Sequence, residues 1–428
     1  MKKKLPLIIL VFVIQIQIFS QSCLPDGITF STQSEINSFQ TNYPNCTAIE
    51  GNVTILGTDI SNLNGLSVLT NIEGDLSIGY QAWGNPLLTN LEGLENITTI
   101  GGSLSIQNNG NIINFSGLEN LSSIGLGLGI WYNEALTSIG ELSNLTHIEQ
   151  TLRISGNPSL TDLNGLEAIS DIGGDLFIQN NENLTNLSGL DNVELVGENV
   201  IISYNLSMTN LSGLENLNTI GNYLLIEINY SMIDMTGLNN LSTIGNALLI
   251  KQNSSLSSLL ALDNLTSLGG KLSIEHNSSL QNLFGLDNIE SNSINNLEIS
   301  YNEQLNTCEV LSVCNYLSNP NGTIEIHNNA EGCNSQVEVE QACQVIGVYE
   351  TINKPYFLIY PNPAKNEINI SLRDNEIIKL SIYNQLGQKV LFKNEITNKI
   401  DISKLKPGLY IVELLSNESR IREKLIIK

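Results

Sequence analysis

Residues 102–125 read GSLSIQNNGNIINFSGLENLSSIG, and this 24-residue unit decides the fold. Its opening segment, L-x-I-x-x-N, recurs at a fixed interval through the middle of the chain. A constant period in this range is typical of a solenoid, in which each turn buries its apolar face only against neighbouring turns. We therefore expect function on a long repetitive surface rather than in a single enzyme pocket. The regularly spaced onsets are Leu104, Leu128, Leu152, Leu176, Val200, Leu224, Leu248 and Leu272.

Each turn is expected to open with a short β-strand. The segment L-x-I alternates with a period of two, so its first and third side chains should point inward. Further onsets at Val53, Leu76, Leu297 and Ile324 complete about twelve turns over residues 51–330. The pattern predicts a mainly β fold, a parallel β-solenoid.

Two kinds of glycine are expected at bends of the coil. The first stands just before the strand, where we expect a positive φ; the second belongs to a recurrent Gly-Leu pair, such as Gly117-Leu118, that marks the opposite bend. The glycines of the first kind are Gly74, Gly102, Gly174 and Gly270.

An asparagine lies three residues beyond the inward isoleucine of each strand. Its amide both donates and accepts hydrogen bonds, so stacked copies can satisfy backbone groups at an inward corner. Ten identical side chains in one column indicate a structural role rather than catalysis. The predicted ladder is Asn109, Asn133, Asn157, Asn181, Asn205, Asn229, Asn253, Asn277, Asn302 and Asn329.

The segment L-x-I-x-x-N-x-x-L, followed by L-x-G-L-x-x-L-x-x-I-G, resembles the receptor L-domain branch of leucine-rich-repeat solenoids over roughly residues 50–330. The resemblance implies a right-handed parallel coil with one sheet per face, and a binding role. The chain departs from ordinary leucine-rich repeats in having two residues, not one, between the asparagine and the next leucine. The motif specifies architecture and names no ligand.

The first residues, 1–21, are predicted to be a signal peptide. Three lysines precede the apolar run from Leu5 to Ile14, as in export signals. Gln15 and Gln17 interrupt the run, which argues against the alternative of a transmembrane anchor. A lipoprotein would use Cys23, but the residues before it lack the expected leucine. Residues 22–50 are then an N-terminal cap.

The cysteines lie only at the two ends of the repeats. Solenoid ends expose apolar surface, so disulfide-stabilised caps in an oxidising compartment are expected. Cys23 and Cys46 form the natural N-terminal pair, whereas the other four allow three pairings. No C-x-x-C pair or suitably spaced histidine supports the alternative of a zinc site. The C-terminal four are Cys308, Cys314, Cys333 and Cys343.

Charge divides the chain into two parts. Residues 345–428 hold thirteen of the nineteen Lys and Arg and carry a net charge of +4, whereas residues 22–344 carry −31. Arg153, Lys251 and Lys271 are the basic residues between 51 and 344. So acidic a body repels phosphate backbones, which excludes a nucleic-acid partner.

The repeat period stops near Cys343, and residues 331–356 are expected to be a C-terminal cap and linker. Strand-like runs at 367–372, 379–383, 388–392, 408–415 and 424–428 predict a small antiparallel β-sandwich over residues 357–428. This segment resembles the type A C-terminal sorting domain of the type IX secretion system. The residues that carry the resemblance include Tyr360, Pro361, Asn362, Pro363, Gly387, Gly408, Tyr410 and Lys428.

The sorting-domain resemblance implies a cellular route. The tail's partner is then the type IX secretion machinery, and the membrane enters only as a barrier to cross or a surface for attachment. The protein passes from the periplasm through the outer membrane and ends extracellular or on the cell surface, usually with this tail removed. The alternative is a generic sandwich that binds a ligand itself.

No catalytic set, metal site or cofactor site is visible in the sequence. The three histidines, His147, His276 and His327, lie at variable positions of the repeat. A polysaccharide-active β-helix enzyme needs carboxylates clustered on one face, whereas the outward strand positions carry mostly Ser, Gln, Gly and apolar residues. We therefore expect a protein that is not an enzyme.

Two outward features are candidate ligand sites. The first is a stripe on successive turns that runs from Arg153 through four apolar residues, with Trp131 in the neighbouring outward column; exposed apolar patches often mark interaction sites. The second is an insertion in the second turn, which is four residues longer than the 24-residue unit. The extra residues fall within Gly79 to Gly84 and move Tyr80 and Trp83 out of the repeat register. The four stripe residues are Phe177, Ile201, Leu225 and Leu249. Three functions remain open: a binding or adhesion module for protein or glycan, a polysaccharide-active enzyme, and a surface spacer without a specific ligand.

Overall fold

A computed structural model describes residues 21–346, 357–360, 362–372, 377–394, 399–416 and 420–428. Its body is a parallel β-solenoid built on one wide sheet of thirteen strands, which follow each other in sequence order. The predicted fold class is confirmed. The strands are Ile28–Phe30, Val53–Ile55, Leu76–Ile78, Leu104–Gln107, Leu128–Trp131, Leu152–Ser155, Leu176–Gln179, Val200–Ser203, Leu224–Glu227, Leu248–Lys251, Lys271–Glu275, Asn296–Ser300 and Ile324–His327.

The register of the wide sheet follows the 24-residue period. Leu128 pairs with Leu152 and Ile130 with Ile154, so equivalent residues of successive turns stack directly on one another. Their side chains point inward and are fully buried. Repeated on every turn, this produces one continuous aliphatic core along the solenoid, in which each layer depends on its neighbours for burial.

The return limb of the coil forms two narrow parallel sheets rather than one. The isolated bridge between Ile148 and Ile172 falls where one ends and the other begins. Short 3-10 turns occupy part of the remaining bend, at Asn64–Leu66, Gly140–Leu142, Leu260–Leu262 and Ser291–Ser293. The narrow strands are Ser22–Cys23, Ala48–Ile49, Asn71–Ile72, Thr99–Ile100 and Ser123–Ile124, then Asp171–Ile172, Leu195–Val196, Thr219–Ile220, Thr243–Ile244 and Ser267–Leu268.

The asparagine ladder is formed as predicted. Asn157, which is fully buried, donates from its amide nitrogen to the carbonyl of Ile130 at 3.0 Å. Its amide oxygen accepts the backbone N–H of Asn133 at 3.2 Å. The same pair of bonds recurs along the column, so each asparagine joins three consecutive turns and satisfies groups that burial would otherwise leave unpaired.

The ladder also contains an asparagine that the spacing did not identify. Asn85 is fully buried and donates to the carbonyl of Ile55 at 3.0 Å and to Asn109 at 2.9 Å. Its own amide oxygen accepts the N–H of Gly57. The insertion at Gly79 to Gly84 places this residue seven positions beyond the strand isoleucine Ile78 instead of three, so the repeat pattern does not identify it.

The two kinds of glycine differ in their backbone. The Gly-Leu bend has positive φ, for example +110° at Gly117 and +111° at Gly189. The expectation of positive φ at Gly74, Gly102, Gly174 and Gly270 is wrong, since none of the four lies in that region. Close packing of turns explains them instead: a Cβ on Gly102 would come within 2.8 Å of the backbone nitrogen of Asp75.

The N-terminal cap carries the first strand of the wide sheet, Ile28–Phe30, so the sheet has thirteen strands where the motif gave twelve. This turn lacks the asparagine, and the helices Gln33–Asn37 and Phe39–Asn42 lie between its wide-sheet strand and its narrow strand Ala48–Ile49. Thr32 begins the first helix with a capping box, since its hydroxyl accepts the N–H of Glu35 and the Glu35 carboxylate accepts the N–H of Thr32.

Disulfides close both ends of the solenoid. Cys23 pairs with Cys46, as predicted. At the C-terminal end the pairs are Cys308–Cys333 and Cys314–Cys343. Cys314–Cys343 joins the helix Leu311–Ser318, which lies inside the predicted repeat region, to the helix Gln336–Ile346, and Cys308–Cys333 joins the segments that precede these helices. The apolar surface of the final coil is thereby covered and cross-linked.

The tail forms two antiparallel sheets, as expected for a small sandwich, with an apolar core of its own. One sheet contains Phe357–Tyr360, Glu367–Leu372 and Lys399–Asp401, and the other contains Lys389–Lys393, Ile377–Asn384, Gly408–Ser416 and Arg420–Ile427. The edge strands 357–360 and 399–401 were not predicted because they are short. The signal peptide (apart from Gln21), residues 347–356 and Pro361 lie outside the described residues.

The tail packs on the side of the last solenoid turns. The Arg422 guanidinium lies 3.6 Å from the ring centre of Phe284 and 3.6 Å from the carboxylate of Asp287. Lys424 forms an ion pair with Asp263 at 2.9 Å. Burial at this contact raises the pKa of Asp287. The basic tail thus meets the acidic solenoid through opposite charges.

Candidate functional site: the outer face of the wide sheet

Three columns of side chains face outward along the wide sheet. The first outward column lies between the inward leucine and isoleucine of each strand. The second outward column follows the inward isoleucine. The corner column is the next residue, just before the ladder asparagine. Neighbours within a column are one turn apart, about 4.8 Å, so each column is a nearly continuous surface along the solenoid.

The predicted apolar stripe lies in the first outward column. Phe177 is the register partner of Ile201, which pairs with Leu225, which pairs with Leu249. All four side chains are half-buried. The structure therefore brings them together as one apolar strip on the outer face, bordered by Arg153 on the preceding turn.

Trp131 lies at one end of this stripe. Its ring lies over Gly129 of the same strand, where a Cβ would come within 1.8 Å of a ring atom. The indole N–H donates to the Gln107 side chain at 2.7 Å, and Gln107 in turn donates to Ser105. The Arg153 guanidinium stands 5.7 Å from the ring centre, within cation–π range. The indole is therefore held in one orientation by its neighbours.

A charged network lies at the other end of the stripe and was not predicted. Glu275 pairs with Lys251 at 2.7 Å, and Glu298 pairs with Lys271. The buried hydroxyl of Ser273 contacts both carboxylates. The expectation that the outward strand positions lack clustered carboxylates is wrong for these two glutamates. They lie in adjacent columns on adjacent turns, so their proximity follows from the strand register and not from the local sequence.

The protonation of this network follows from its contacts. Burial alone raises the pKa of the Glu275 carboxyl, but hydrogen bonds from Lys251 and Ser273 outweigh burial and leave the pKa below its usual value. Glu275 is therefore ionised at neutral pH. A carboxylate in this state can accept hydrogen bonds but cannot serve as a general acid.

The corner column has an unusual backbone. All ten of its residues have φ between 54° and 69°, in the left-handed region. Tyr132, Tyr204 and Tyr301 stand among them with 54%, 44% and 45% of their surface exposed. The column is Asn108, Tyr132, Gly156, Asn180, Tyr204, Ile228, Gln252, His276, Tyr301 and Asn328. Its tyrosines were missed because a single sequence does not show which residue takes positive φ.

Aromatic rings meet at the C-terminal end of this column. The rings of His276 and Tyr301 stack with centres 4.6 Å apart and an angle of 3°. His327, in the second outward column, meets Tyr301 edge-on at 5.3 Å. Two of the three histidines are therefore part of an aromatic group on the outer face of the wide sheet rather than isolated surface residues.

The second predicted site, the insertion, is a small hairpin beside the same edge. Tyr80 and Trp83 form an antiparallel bridge, and Trp83 is 71% exposed. Asn108 of the corner column donates to the carbonyl of Gln81. The hairpin thus extends the aromatic edge of the wide sheet toward the N-terminal end of the solenoid.

His147 lies away from this face, beside the narrow sheets. Its ring nitrogens contact Glu149 at 3.0 Å and Asp171 at 2.6 Å. The hydrogen bond with Glu149 is the main reason that its pKa is raised above 6.5. Among the described residues, no group of three or more His, Cys, Asp or Glu side chains is arranged to hold a metal ion.

An open cavity of about 260 Å³ lies on the tail, between Lys379, Lys389, Phe392 and Glu413. No helix in the described parts of the chain has the length and apolar character needed to cross a bilayer. On the solenoid, the outer face of the wide sheet is the principal candidate surface because the apolar stripe, the fixed Trp131 ring and the exposed tyrosines all lie on it.

Comparisons with known proteins agree with this architecture. β-Agarase D of Zobellia galactanivorans is 37% identical over 70 residues, which cover 16% of this chain and 14% of the agarase. The sorting-domain match indicates a protein that is exported by the type IX system to the cell surface or the extracellular space. Residues 45–168 match the receptor L domain and residues 358–428 match the secretion system C-terminal sorting domain, so both resemblances are confirmed.

Proposed function

We propose that this is an exported binding protein whose ligand contacts the outer face of the wide sheet. The apolar stripe carries the proposal: Phe177, Ile201, Leu225 and Leu249 stay partly accessible on four adjacent turns. Contact between apolar side chains and water is unfavourable, so the free energy falls when a ligand covers them. Arg153 beside the stripe supplies a cation and hydrogen-bond donors that can orient the ligand.

The arrangement suits recognition by a surface rather than by a pocket. Trp131 is fixed by Gln107 and Arg153, so little side-chain entropy is lost when a ligand covers its ring. Large aromatic residues and arginine are the side chains that most often dominate binding energy at protein surfaces. Both classes of ligand considered from the sequence, protein and glycan, can use such a face.

The test is binding by the exported full chain to protein and glycan arrays. The double variant Phe177→Ser/Leu225→Ser should lose at least tenfold in affinity for the ligands detected, while its melting curve remains cooperative. Leu195→Ser is the matched control, because Leu195 is 42% exposed but lies on a narrow sheet. Wild-type affinity in the double variant would eliminate this face, and blank arrays would favour a spacer.

A polysaccharide-active enzyme is the second candidate because Glu275 and Glu298 converge on Ser273. A glycosidase requires one carboxyl group with a raised pKa to act as the acid, whereas the pKa of Glu275 is lowered. The 70-residue match to an agarase is about the length of the sorting domain and gives this idea no independent support. Sustained turnover of neutral or anionic glycans, lost in Glu298→Gln, would establish the enzyme instead.

A further inference from the structure

We propose that the corner column binds a neutral, hydroxyl-rich linear polysaccharide laid along the solenoid axis. This inference rests on the proposed binding function and names the class of ligand. It comes from a different set of residues than the apolar stripe: Tyr132, Tyr204 and Tyr301, with the amides that stand between them.

The backbone at these tyrosines has a conformation that disfavours any residue with a side chain. Left-handed φ costs a residue with a Cβ roughly 1–2 kcal/mol relative to glycine. Glycine and asparagine adopt this conformation more readily than tyrosine, and Gly156 and Asn180 show that both fit at equivalent positions of other turns. The tyrosines leave about half of their surface exposed, so burial offsets only part of this cost. A residue that is strained and exposed is better explained by a contact outside the protein.

The backbone that carries the rings is held in place by hydrogen bonds to the next turn. The N–H of Tyr132 donates to the carbonyl of Ser155 at 3.0 Å, and that of Tyr204 to Glu227 at 3.1 Å. The Tyr132 ring leans along the axis over Gly156, where a Cβ would come within 2.6 Å of it. From Tyr132 to Tyr301 the column spans seven turns, about 34 Å. Its length and single-residue width fit an extended polymer.

The column contains two kinds of side chain, aromatic and amide, that a sugar chain can contact. Aromatic faces are electron-rich and attract the partly positive C–H groups on the apolar side of a sugar ring. The exposed amides of Asn180, Gln252 and Asn328 both donate and accept hydrogen bonds, as hydroxyl groups do. Tyr132 and Tyr204 are three turns apart, with Gly156 and Asn180 in the space between them.

Charge decides which polysaccharides fit. Glu134, Glu182 and Glu303 are exposed two residues beyond members of the column, and therefore flank it. Residues 22–344 carry a net charge of −31. Sulfated and uronate polymers are repelled by this field, whereas hydroxyl groups can donate to the carboxylates.

The experiment measures affinity of the exported full chain by calorimetry. The neutral probes are cellohexaose, laminarihexaose and agarohexaose, and the anionic probes are alginate and κ-carrageenan hexasaccharides. We expect at least one neutral probe to bind and both anionic probes to bind at least tenfold more weakly. The triple variant Tyr132→Asn/Tyr204→Asn/Tyr301→Asn should lose at least tenfold in affinity with an unchanged or higher Tm, because asparagine tolerates this backbone.

Tyr223→Asn is the matched control, since Tyr223 stands at the opposite edge of the wide sheet, where the preceding turn has Asn199. It should bind like the wild type. The proposal is overturned if no neutral probe binds, if anionic probes bind better, or if the triple variant stays within twofold of the wild type. If ligands found on the arrays depend on Phe177 and Leu225 but not on these tyrosines, the polysaccharide proposal is wrong and the proposed binding function stands. If no ligand is found on the arrays, both proposals are wrong.

Discussion

At the scale of the residue, the asparagine ladder illustrates how a buried polar side chain can stabilise a repetitive core. Asn157 accepts from the backbone N–H of Asn133 and donates to the carbonyl of Ile130, so one amide serves two backbone groups of the preceding turn. The side chain is fully buried. Without it, these two groups lose this partner in a place that water cannot reach.

Asn157→Ala should therefore lower the free energy of unfolding by about 3 kcal/mol or more, because it leaves at least two buried groups unpaired. Urea denaturation followed by circular dichroism measures the change. Asn192→Ala is the control: Asn192 also joins two turns, through a 2.7 Å bond to Glu167, but is exposed, and should cost under about 1 kcal/mol. Equal losses in the two variants would contradict the structural role of the ladder.

A second prediction at this scale concerns His147. Its contacts with Glu149 and Asp171 raise its pKa above 6.5 in the folded protein. The stability it contributes is fully present below the unfolded pKa and is lost as pH rises through the folded pKa. The effect should be small because the side chain is 42% exposed.

Melting temperatures measured between pH 6 and pH 8.5 test this prediction. The wild type should lose more stability over this interval than His147→Gln, which cannot take up the proton. His327→Gln serves as the control and should keep the wild-type dependence. A wild-type profile parallel to that of His147→Gln would refute the assignment.

At the scale of the element, a strand of the wide sheet both builds the core and shapes the outer face. In Leu128–Trp131 the alternation sends Leu128 and Ile130 inward, and leaves Gly129 and Trp131 outside. The absence of a side chain at Gly129 makes room for the indole. Gly129 thus determines where the ring of Trp131, a candidate binding residue, can lie.

Gly129→Ala should displace the Trp131 ring and break its bond to Gln107, because the new Cβ would overlap the ring. In a Trp83→Phe background, the fluorescence of Trp131 should shift to the red as the ring becomes more exposed. Gly110→Ala is the matched control, since nothing lies within 4 Å of its Cβ position. An unshifted spectrum in Gly129→Ala would show that the ring does not rest on this glycine.

Elements also show how much could be read from the sequence. The period and the alternation of L-x-I predicted the strands, their register, the core and the ladder, because each depends on local pattern. The first strand, Ile28–Phe30, and Asn85 escaped because a cap and an insertion break that pattern. The network around Ser273 could not be predicted, since its members come from different turns and meet only through the register.

At the scale of the whole molecule, the chain is an acidic solenoid with a basic tail. Disulfide-linked caps cover both ends of the solenoid, and the tail contacts its C-terminal turns through Arg422 and Lys424. Export and recognition are thus assigned to different regions of the chain. The candidate binding residues are all on the solenoid, away from the sorting domain.

Deletion of residues 357–428 should leave the protein in the periplasm, because the tail is the part recognised by the secretion machinery. Cell fractionation followed by immunoblotting measures its distribution between periplasm, cell surface and medium. The Phe177→Ser/Leu225→Ser variant keeps the tail and should reach the surface normally. Surface display of the truncated chain would contradict the assignment of the tail.

Hydroxyl-radical footprinting of the exported chain, free and bound to a ligand found on the arrays, shows directly whether the outer face of the wide sheet binds. The ligand should protect Phe177 and Leu225 on this face and leave Leu195 on the narrow sheet unchanged. Protection confined to the narrow sheets or to the tail would contradict this prediction.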